Sequence, residues 1–293
     1  MILTVMIALA LQASVLPGQA VVRDESRSRP SAKTTSGTRA VSGPIARIAK
    51  NQHRVVIDAG HGGRDPGGPM RFGHLYEKDI ALQFASKLGA TLKERGVHVI
   101  YTRTTDTLIA RSDRGRIANQ AHGDIFISIH VNAANPNWRA PEKARGFETY
   151  FLGVAKTEDA RRVEEMEEES ERFETRSASA VHDPLDFILN DMRQNEHLRE
   201  SSELAELIQR HLRGVHPGPD RGVKQAGFTV LVAAFMPSVL VELGFGTNKA
   251  EAEFLASPLR QQAMARSVAD ATIEYLQRYQ RRVGGGPASG AHE

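Results

Sequence analysis

Three apolar runs that end on a polar residue constrain this chain most: Val56-Ile-Asp-Ala-Gly-His-Gly-Gly63, Ser128-Ile-His-Val-Asn132 and Val239-Leu-Val-Glu-Leu-Gly-Phe-Gly246. Such runs suit strands buried on both faces, which deliver polar side chains to one edge of a sheet. Between them lie stretches with helical spacing. In Glu77–Arg95, Ile80, Phe84 and Leu88 recur at every fourth position and Gly96 follows as a stop. Strands are expected at Arg54–Ala59, Val97–Thr102, Asp124–His130, Gly146–Leu152, Phe228–Val232 and Ser238–Leu243. Helices are expected at Glu77–Arg95, Arg111–His122 and Ser201–Leu212. A capping box at Asn248–Glu251 and a closing helix from Pro258, with Leu259, Ala263, Val268, Ile273 and Leu276 inward, complete the pattern. Strand alternating with helix implies an α/β fold whose mostly parallel sheet is covered on both faces. Open sheets of this kind carry their sites at the carboxyl ends of the strands.

The 293 residues are 40% hydrophobic, enough for one sizeable domain with unstructured flanks. With no cysteine present, disulfides, thiolate metal sites and a cysteine nucleophile are excluded, so any metal must use His, Asp or Glu. Ile2 to Leu16 is nearly all apolar and leads into Pro17-Gly-Gln-Ala20, the form of a signal peptide over 1–20. No Lys or Arg precedes it, so it reads either as a cleaved signal or as an anchor. It is short for a membrane span, and no stable transmembrane segment is expected after cleavage. The expected location is outside the cytoplasm, in the periplasm or cell envelope. Residues 21–50 carry seven Lys or Arg against two acids among Ser, Thr, Pro and Gly, which reads as a disordered basic linker. The folded part is expected over 51–283, with a frayed tail at 284–293. No base-reading motif accompanies the basic linker, so a nucleic-acid partner is not expected.

One stretch breaks the rhythm. Lys156–Arg176 holds nine acids and five bases, so 154–195 reads as a helical insertion with a charged surface helix. Leu185, Phe187, Ile188 and Leu189 form a short apolar cluster behind it.

The chemistry gathers at the strand ends. His61 sits among glycines after one strand, and His130 ends another. Glu77 opens a helix, where the macrodipole favours a carboxylate. Two His and one Glu suffice to hold a catalytic zinc, with a further Glu as general base. Glu242 lies inside an apolar strand, where an unpaired carboxylate is costly. It is either a satisfied buried acid or a base with a tuned pKa. Asn132 either orients substrate or braces the strand end. The only Trp, Trp138, either stacks on sugar or peptide or lies on the surface by chance.

Taken together, Ile57-Asp-Ala-Gly-His-Gly-Gly-Arg-Asp-Pro-Gly67, Glu77-Lys-Asp79, Thr102-Arg-Thr-Thr-Asp106, Arg111 with Ala118-Asn119, Ser128–Asn132, Gly146-Phe-Glu-Thr-Tyr150 and Val241–Phe245 with Thr247-Asn248 resemble the zinc-dependent N-acetylmuramoyl-L-alanine amidases of amidase type 3. The set runs in family order across about residues 54–280. The family often carries a bulky apolar residue where Gly246 stands. The resemblance implies a three-layer α/β/α fold and zinc (Zn2+) held by His61, Glu77 and His130, with Glu242 as catalytic carboxylate. The implied substrate is peptidoglycan, cut between N-acetylmuramic acid and L-alanine of the stem peptide, for wall remodelling or daughter-cell separation. Arg103, Asp106 and Arg111 are expected to brace the fold. The rival readings are a zinc peptidase acting within the stem peptide and a non-catalytic peptidoglycan-binding module, which would have no need of Glu242. In position and charge the insertion resembles the regulatory helix of cell-division amidases, which covers the zinc cleft until a LytM-domain activator displaces it. One of Glu164, Glu165, Glu167, Glu168, Glu169 and Glu171 is then expected to cap the zinc. Otherwise the segment is a solvated acidic helix without a regulatory role.

Overall fold

A computed structural model describes residues 53–174 and 184–284, apart from the side chains of 184–196 and 284. The expected signal peptide, basic linker, C-terminal tail and the cluster Leu185, Phe187, Ile188, Leu189 lie outside the described residues or side chains. No helix among the described residues is long and apolar enough to cross a membrane.

The strands are β1 (Arg54–Ala59), β2 (His98–Tyr101), β3 (Ile125–Asn132), β4 (Phe147–Leu152), β5 (Asp220–Ala226) and β6 (Ser238–Phe245). They form one sheet in the order β2-β1-β3-β6-β4-β5. β2, β1, β3 and β6 are mutually parallel, whereas β4 pairs antiparallel with β6 and parallel with β5. The helices are α1 (Glu77–Glu94), α2 (Arg111–Gln120), α3 (Glu158–Glu168), α4 (Pro184–Leu212), α5 (Thr229–Val232), α6 (Lys249–Ala256) and α7 (Pro258–Gly284). α1, α4, α6 and α7 pack on one sheet face, against Val55, Ile57, Ile125, Ile127, Val239 and Val241. α2, α3 and α5 pack on the other, around Val56, Phe126, Tyr150 and Leu240. The result is a three-layer α/β/α architecture.

Strand periodicity positions the site. Side chains alternate between faces, so the residues that share the second face with Val56, Phe126 and Leu240 are Asp58, Ser128, His130 and Glu242. All four are buried at the carboxyl ends of their strands. In register, His130 lies beside Glu242, and Glu242 beside Glu148 of β4. Neighbouring strands run about 4.8 Å apart, so these three side chains stand in a row across the sheet.

Three expectations need correction. Phe228–Val232 is not a strand, because Thr229–Val232 forms a helical turn that buries the adjacent Val230 and Leu231. The strand lies just upstream as β5, an edge strand whose half-buried sequence DRGVKQA carries no apolar run. Ser201–Leu212 is only the end of one continuous helix that starts earlier, at Pro184, within the expected insertion. In α7, Val268, Ile273 and Leu276 are buried, but Leu259 is 77% exposed and Ala263 faces solvent. Gly246 is accounted for by packing: a Cβ there would lie 2.7 Å from the Met70 sulfur, which fills the space a larger residue would need.

Candidate metal centre

β1 delivers His61 through a strained turn. His61 has φ 57°, a left-handed conformation uncommon outside glycine. Two buried arginines hold the turn. Arg114 donates to Asp58 Oδ1 at 2.9 Å and to the carbonyls of Ala59 and His61, and Arg103 donates to the carbonyls of Ala59, Gly60 and Lys78. Asp58 also accepts from Thr102 and Ser128. Although burial opposes it, the Arg114 charge and these two hydroxyls hold the Asp58 carboxyl below its usual range. Gly60 is required by close approach, since a Cβ there would lie 2.6 Å from the His130 ring. Arg103 and Asp106 brace this turn as expected, with Asp106 accepting from Gly63 N and Lys78 Nζ. Arg111 does not; its guanidinium reaches the segment after α3.

Four buried side chains, His61, Glu77, His130 and Glu167, each place one ligand atom within 4.8 Å of the others. His61 Nε2 lies 3.1 Å from both Glu77 Oε1 and Glu167 Oε2. His130 Nδ1 lies 3.1 Å from Glu77 Oε1 and 2.8 Å from Glu167 Oε2. Two nitrogens and two oxygens thus alternate around one point. His61 Nε2 and Glu167 Oε2 have no hydrogen-bond partner despite their closeness. His130 Nδ1 and Glu77 Oε1 are within hydrogen-bonding distance at 3.1 Å, and the two atoms left without a partner face a centre that a cation would share. Outer contacts fix the ligands, as metal sites require. His61 Nδ1 lies 2.8 Å from Asp65 Oδ2, which selects the tautomer with Nε2 free. Glu77 accepts from Val131 N and Gly68 N, both at 2.9 Å.

Electrostatics lead to the same conclusion. Burial opposes charge on both imidazoles, but Glu77 and Glu167 raise His61 well above its ordinary range, and Glu167 and Glu77 raise His130 to about 10. Burial raises the Glu77 carboxyl, yet the two histidines hold it far below the usual carboxylate range. The two carboxylates thus favour positive charge at this buried point. A divalent cation bound by two neutral imidazoles and two carboxylates would supply it and leave the site neutral, so the residues fit a divalent metal ion. An all N/O donor set suits zinc among others.

Glu242 is fully buried, and neither carboxylate oxygen has a hydrogen-bond partner. It is therefore not an acid satisfied by an arginine. Burial, then the negative charge of Glu167, raises its pKa well above the ordinary value, though His130 opposes this. Asn132 donates to Glu148 Oε1 at 2.7 Å, and Tyr150 OH donates to the same oxygen. Glu148 Oε2 is held by Arg221 at 2.8 Å and Lys224 at 2.5 Å.

Of the six insertion glutamates, only Glu167 reaches the cluster. Its helix covers the second sheet face through Ala160 and Val163. Glu164 lies against Gly227. Glu165 pairs with Arg161, and Glu169, 69% exposed, lies 4.0 Å from Arg172. Glu171 is 81% exposed and 3.8 Å from Arg111. Glu168 fastens the segment: it pairs with Arg111 and accepts from Thr229 N at 2.8 Å and Thr229 Oγ1 at 2.7 Å. Arg111 also donates to Glu174 at 2.9 Å from both its backbone N and Nε. Sequence reasoning missed Asp65, Glu148 and Ser170 as site residues; Ser170 Oγ lies 3.2 Å from His61 Nδ1. Asp65 and Glu148 fall inside the motif stretches, but nothing in the sequence marks Ser170.

The family model for N-acetylmuramoyl-L-alanine amidase matches residues 55–274. The chain is 32% identical over 261 residues to the N-acetylmuramoyl-L-alanine amidase AmiA of Escherichia coli K12, covering 88% of this chain and 85% of that one. It is also similar to the solved N-acetylmuramoyl-L-alanine amidase of Clostridium difficile 630, with 29% identity, TM-score 0.58 and coverage of 78% of this chain and 98% of that one. AmiC2 of Nostoc punctiforme superposes with TM-score 0.57 at 28% identity, over 78% of this chain and 100% of the other. The matched span takes in the six described strands, but for the first residue of β1, and all four side chains of the cluster, and on these grounds the chain belongs to the N-acetylmuramoyl-L-alanine amidase family.

Proposed function

We propose that this chain is an exported, zinc-dependent peptidoglycan amidase that cuts between N-acetylmuramic acid and L-alanine, held latent by its own α3 segment. The observation that carries the reading is the convergence of His61, Glu77 and His130 beside the partnerless Glu242, with Glu167 closing the fourth side. In this reading His61, Glu77 and His130 hold the zinc. Zinc there would supply Lewis acidity toward the amide carbonyl and make water acidic enough to act as nucleophile at neutral pH. Glu242 takes the proton from the attacking water and passes it to the departing amine of L-alanine as the carbon–nitrogen bond breaks. Asn132 and Glu148 support this edge of the sheet, and no oxygen of Glu242 is diverted into other hydrogen bonds.

The α3 segment obstructs this chemistry twice. The Glu167 carboxylate fills the space facing the three ligands. Its charge also helps keep Glu242 protonated, the wrong state for a base. Release of 154–195, the regulatory insertion of this reading, by an activator of the LytM-domain type would undo both and permit wall remodelling or daughter-cell separation.

The reading is tested by mass analysis of products from purified peptidoglycan treated with the zinc-loaded protein after lid release. Free stem peptides beginning at L-alanine are expected. Fragments cut within the stem would replace this reading with a peptidase, and binding without any product would replace it with a wall-binding module. A second expectation concerns Asp65, which orients His61 from behind. Asp65→Asn should weaken zinc binding about 10–100-fold in competition with a chelator, the usual cost of losing a carboxylate behind a histidine ligand. Unchanged affinity would mean that the His61 tautomer is set by other groups.

A further inference from the structure

Trp138 has no part in the chemistry above, yet its surroundings are specific. It lies in the loop after β3, eight positions beyond the ligand His130 in the sequence. Arg162 of α3 lies over the indole ring at 4.5 Å, a cation–π contact. Arg162 also lines a cavity of about 500 Å³ whose walls include His61, Glu77, Glu167 and Asn135. The residue that covers the indole is therefore also a wall of the space that reaches the metal ligands.

The guanidinium is poorly held. One nitrogen donates to the Ala133 carbonyl at 3.3 Å, and another lies 3.8 Å from Asp159 Oδ1. Nε and Nη2 are buried without a hydrogen-bond partner. Buried donors left unmade are unfavourable, so a structural arginine would be expected to find better acceptors. Asp159 cannot offer its other oxygen, because Oδ2 is held by Arg221 at 2.5 Å and Lys224 at 2.8 Å. The contact that remains is the stack on Trp138.

We propose that the Trp138 ring is a saccharide-stacking subsite, and that Arg162 occupies it as a stand-in while α3 is closed. The lid then withholds two things at once, the metal ligands through Glu167 and the glycan platform through Arg162. An indole face suits a pyranose because it combines a broad apolar surface with an electron-rich π-system that accepts polarised C–H groups. The amide of Asn135, on the same cavity wall, offers a donor and an acceptor to ring hydroxyls. The choice of a glycan as ligand rests on the peptidoglycan reading.

Because Trp138 is the only tryptophan in the chain, its fluorescence reports this contact alone. The test uses the full chain carrying Glu242→Gln, with and without Arg162→Ala, titrated separately with peptide-free N-acetylglucosamine tetramer and with a free stem peptide. The Arg162→Ala protein should show a saturable emission change with the tetramer, at least about tenfold tighter than the protein that keeps Arg162. No response to the tetramer in a variant with unchanged circular dichroism and metal content would overturn the proposal. So would a response to the peptide alone. A second measurement uses turnover of a soluble disaccharide-peptide in a Glu167→Ala background. There Trp138→Ala should raise KM about tenfold with kcat kept, and Trp138→Phe should restore most of it. An equal KM in all three would overturn the subsite. A lack of turnover in the Glu167→Ala background counts against the amidase reading, whereas the fluorescence titration still decides the subsite.

Discussion

Replacing Glu242 by glutamine should abolish most hydrolysis while leaving the zinc in place. The expected loss is about 10²–10⁴-fold in turnover of purified peptidoglycan, the range seen when a positioned acid–base group is removed. Glutamine keeps the shape of this fully buried side chain, but it cannot take a proton from water. Glu242 is not among the four converging ligand side chains, so bound zinc should remain at one per chain. Metal content and rate, measured on one preparation, separate a lost base from a lost metal. Stability should respond to pH in a defined direction in the metal-stripped protein. Burial and the Glu167 charge raise the folded-state pKa of Glu242. The folded state therefore binds the proton more tightly than the unfolded chain does. Stability is fully present below the unfolded carboxyl pKa and is lost as pH rises through the folded pKa. Glu242→Gln removes that loss, so urea denaturation midpoints of the two proteins should coincide at acid pH and diverge in favour of the variant as pH rises. Retained hydrolysis in the glutamine protein would end the assignment of Glu242 as the base.

The sheet was readable where it is buried and obscure where it is not. β3 and β6 are buried along their whole lengths, and such strands must be near-continuous apolar runs. β5 sits at the sheet edge, half-buried, and its sequence is written for ion pairs with Glu148 and Asp159 rather than for a core. Val230 and Leu231 were misplaced for the opposite reason. Two adjacent apolar residues can be buried by a strand or by one helical turn, and only the packing against α2 and the sheet decides. The three candidate ligands stood out because His61 follows a strand among glycines, His130 lies near the end of one, and Glu77 opens a helix. Glu167 could not be singled out, because which face of a glutamate-rich helix is buried is a tertiary fact. A partial signal existed: of the six, Glu164, Glu167 and Glu171 fall on the stripe begun by Ala160 and Val163 at helical spacing. Arg111 was taken for a brace because it matches a family position, whereas Arg114, three residues on, is the one that binds Asp58.

Removing the Glu167 carboxylate should switch the protein on. With Glu167→Ala, the basal hydrolysis rate of the full chain should rise by about 10² or more, since breaking a buried charge contact is worth about 3–5 kcal/mol and each 1.4 kcal/mol is tenfold. The effect should come from two sources. The ligands are uncovered, and loss of a neighbouring negative charge lets Glu242 give up its proton at lower pH. The acid limb of the rate–pH profile should therefore move to lower pH in Glu167→Ala than in any lid variant that keeps this carboxylate near Glu242. Arg111→Ala makes that comparison possible. It cuts the fastening to Glu168 and Glu174, just C-terminal to Glu167, without removing a ligand side chain. Its activation should be smaller, about tenfold, because Thr229 still holds Glu168. Glu169→Ala serves as the control: the side chain is 69% exposed and its ion pair, at 4.0 Å, is with Arg172 and not with a ligand or Arg111, so its rate should match wild type. If Glu167→Ala keeps its zinc and yet hydrolyses no faster than Glu169→Ala, the α3 segment is not a gate. Glu167 would then be a fourth permanent ligand, and the site would be structural, because a catalytic zinc needs an open position that the closed cluster does not leave.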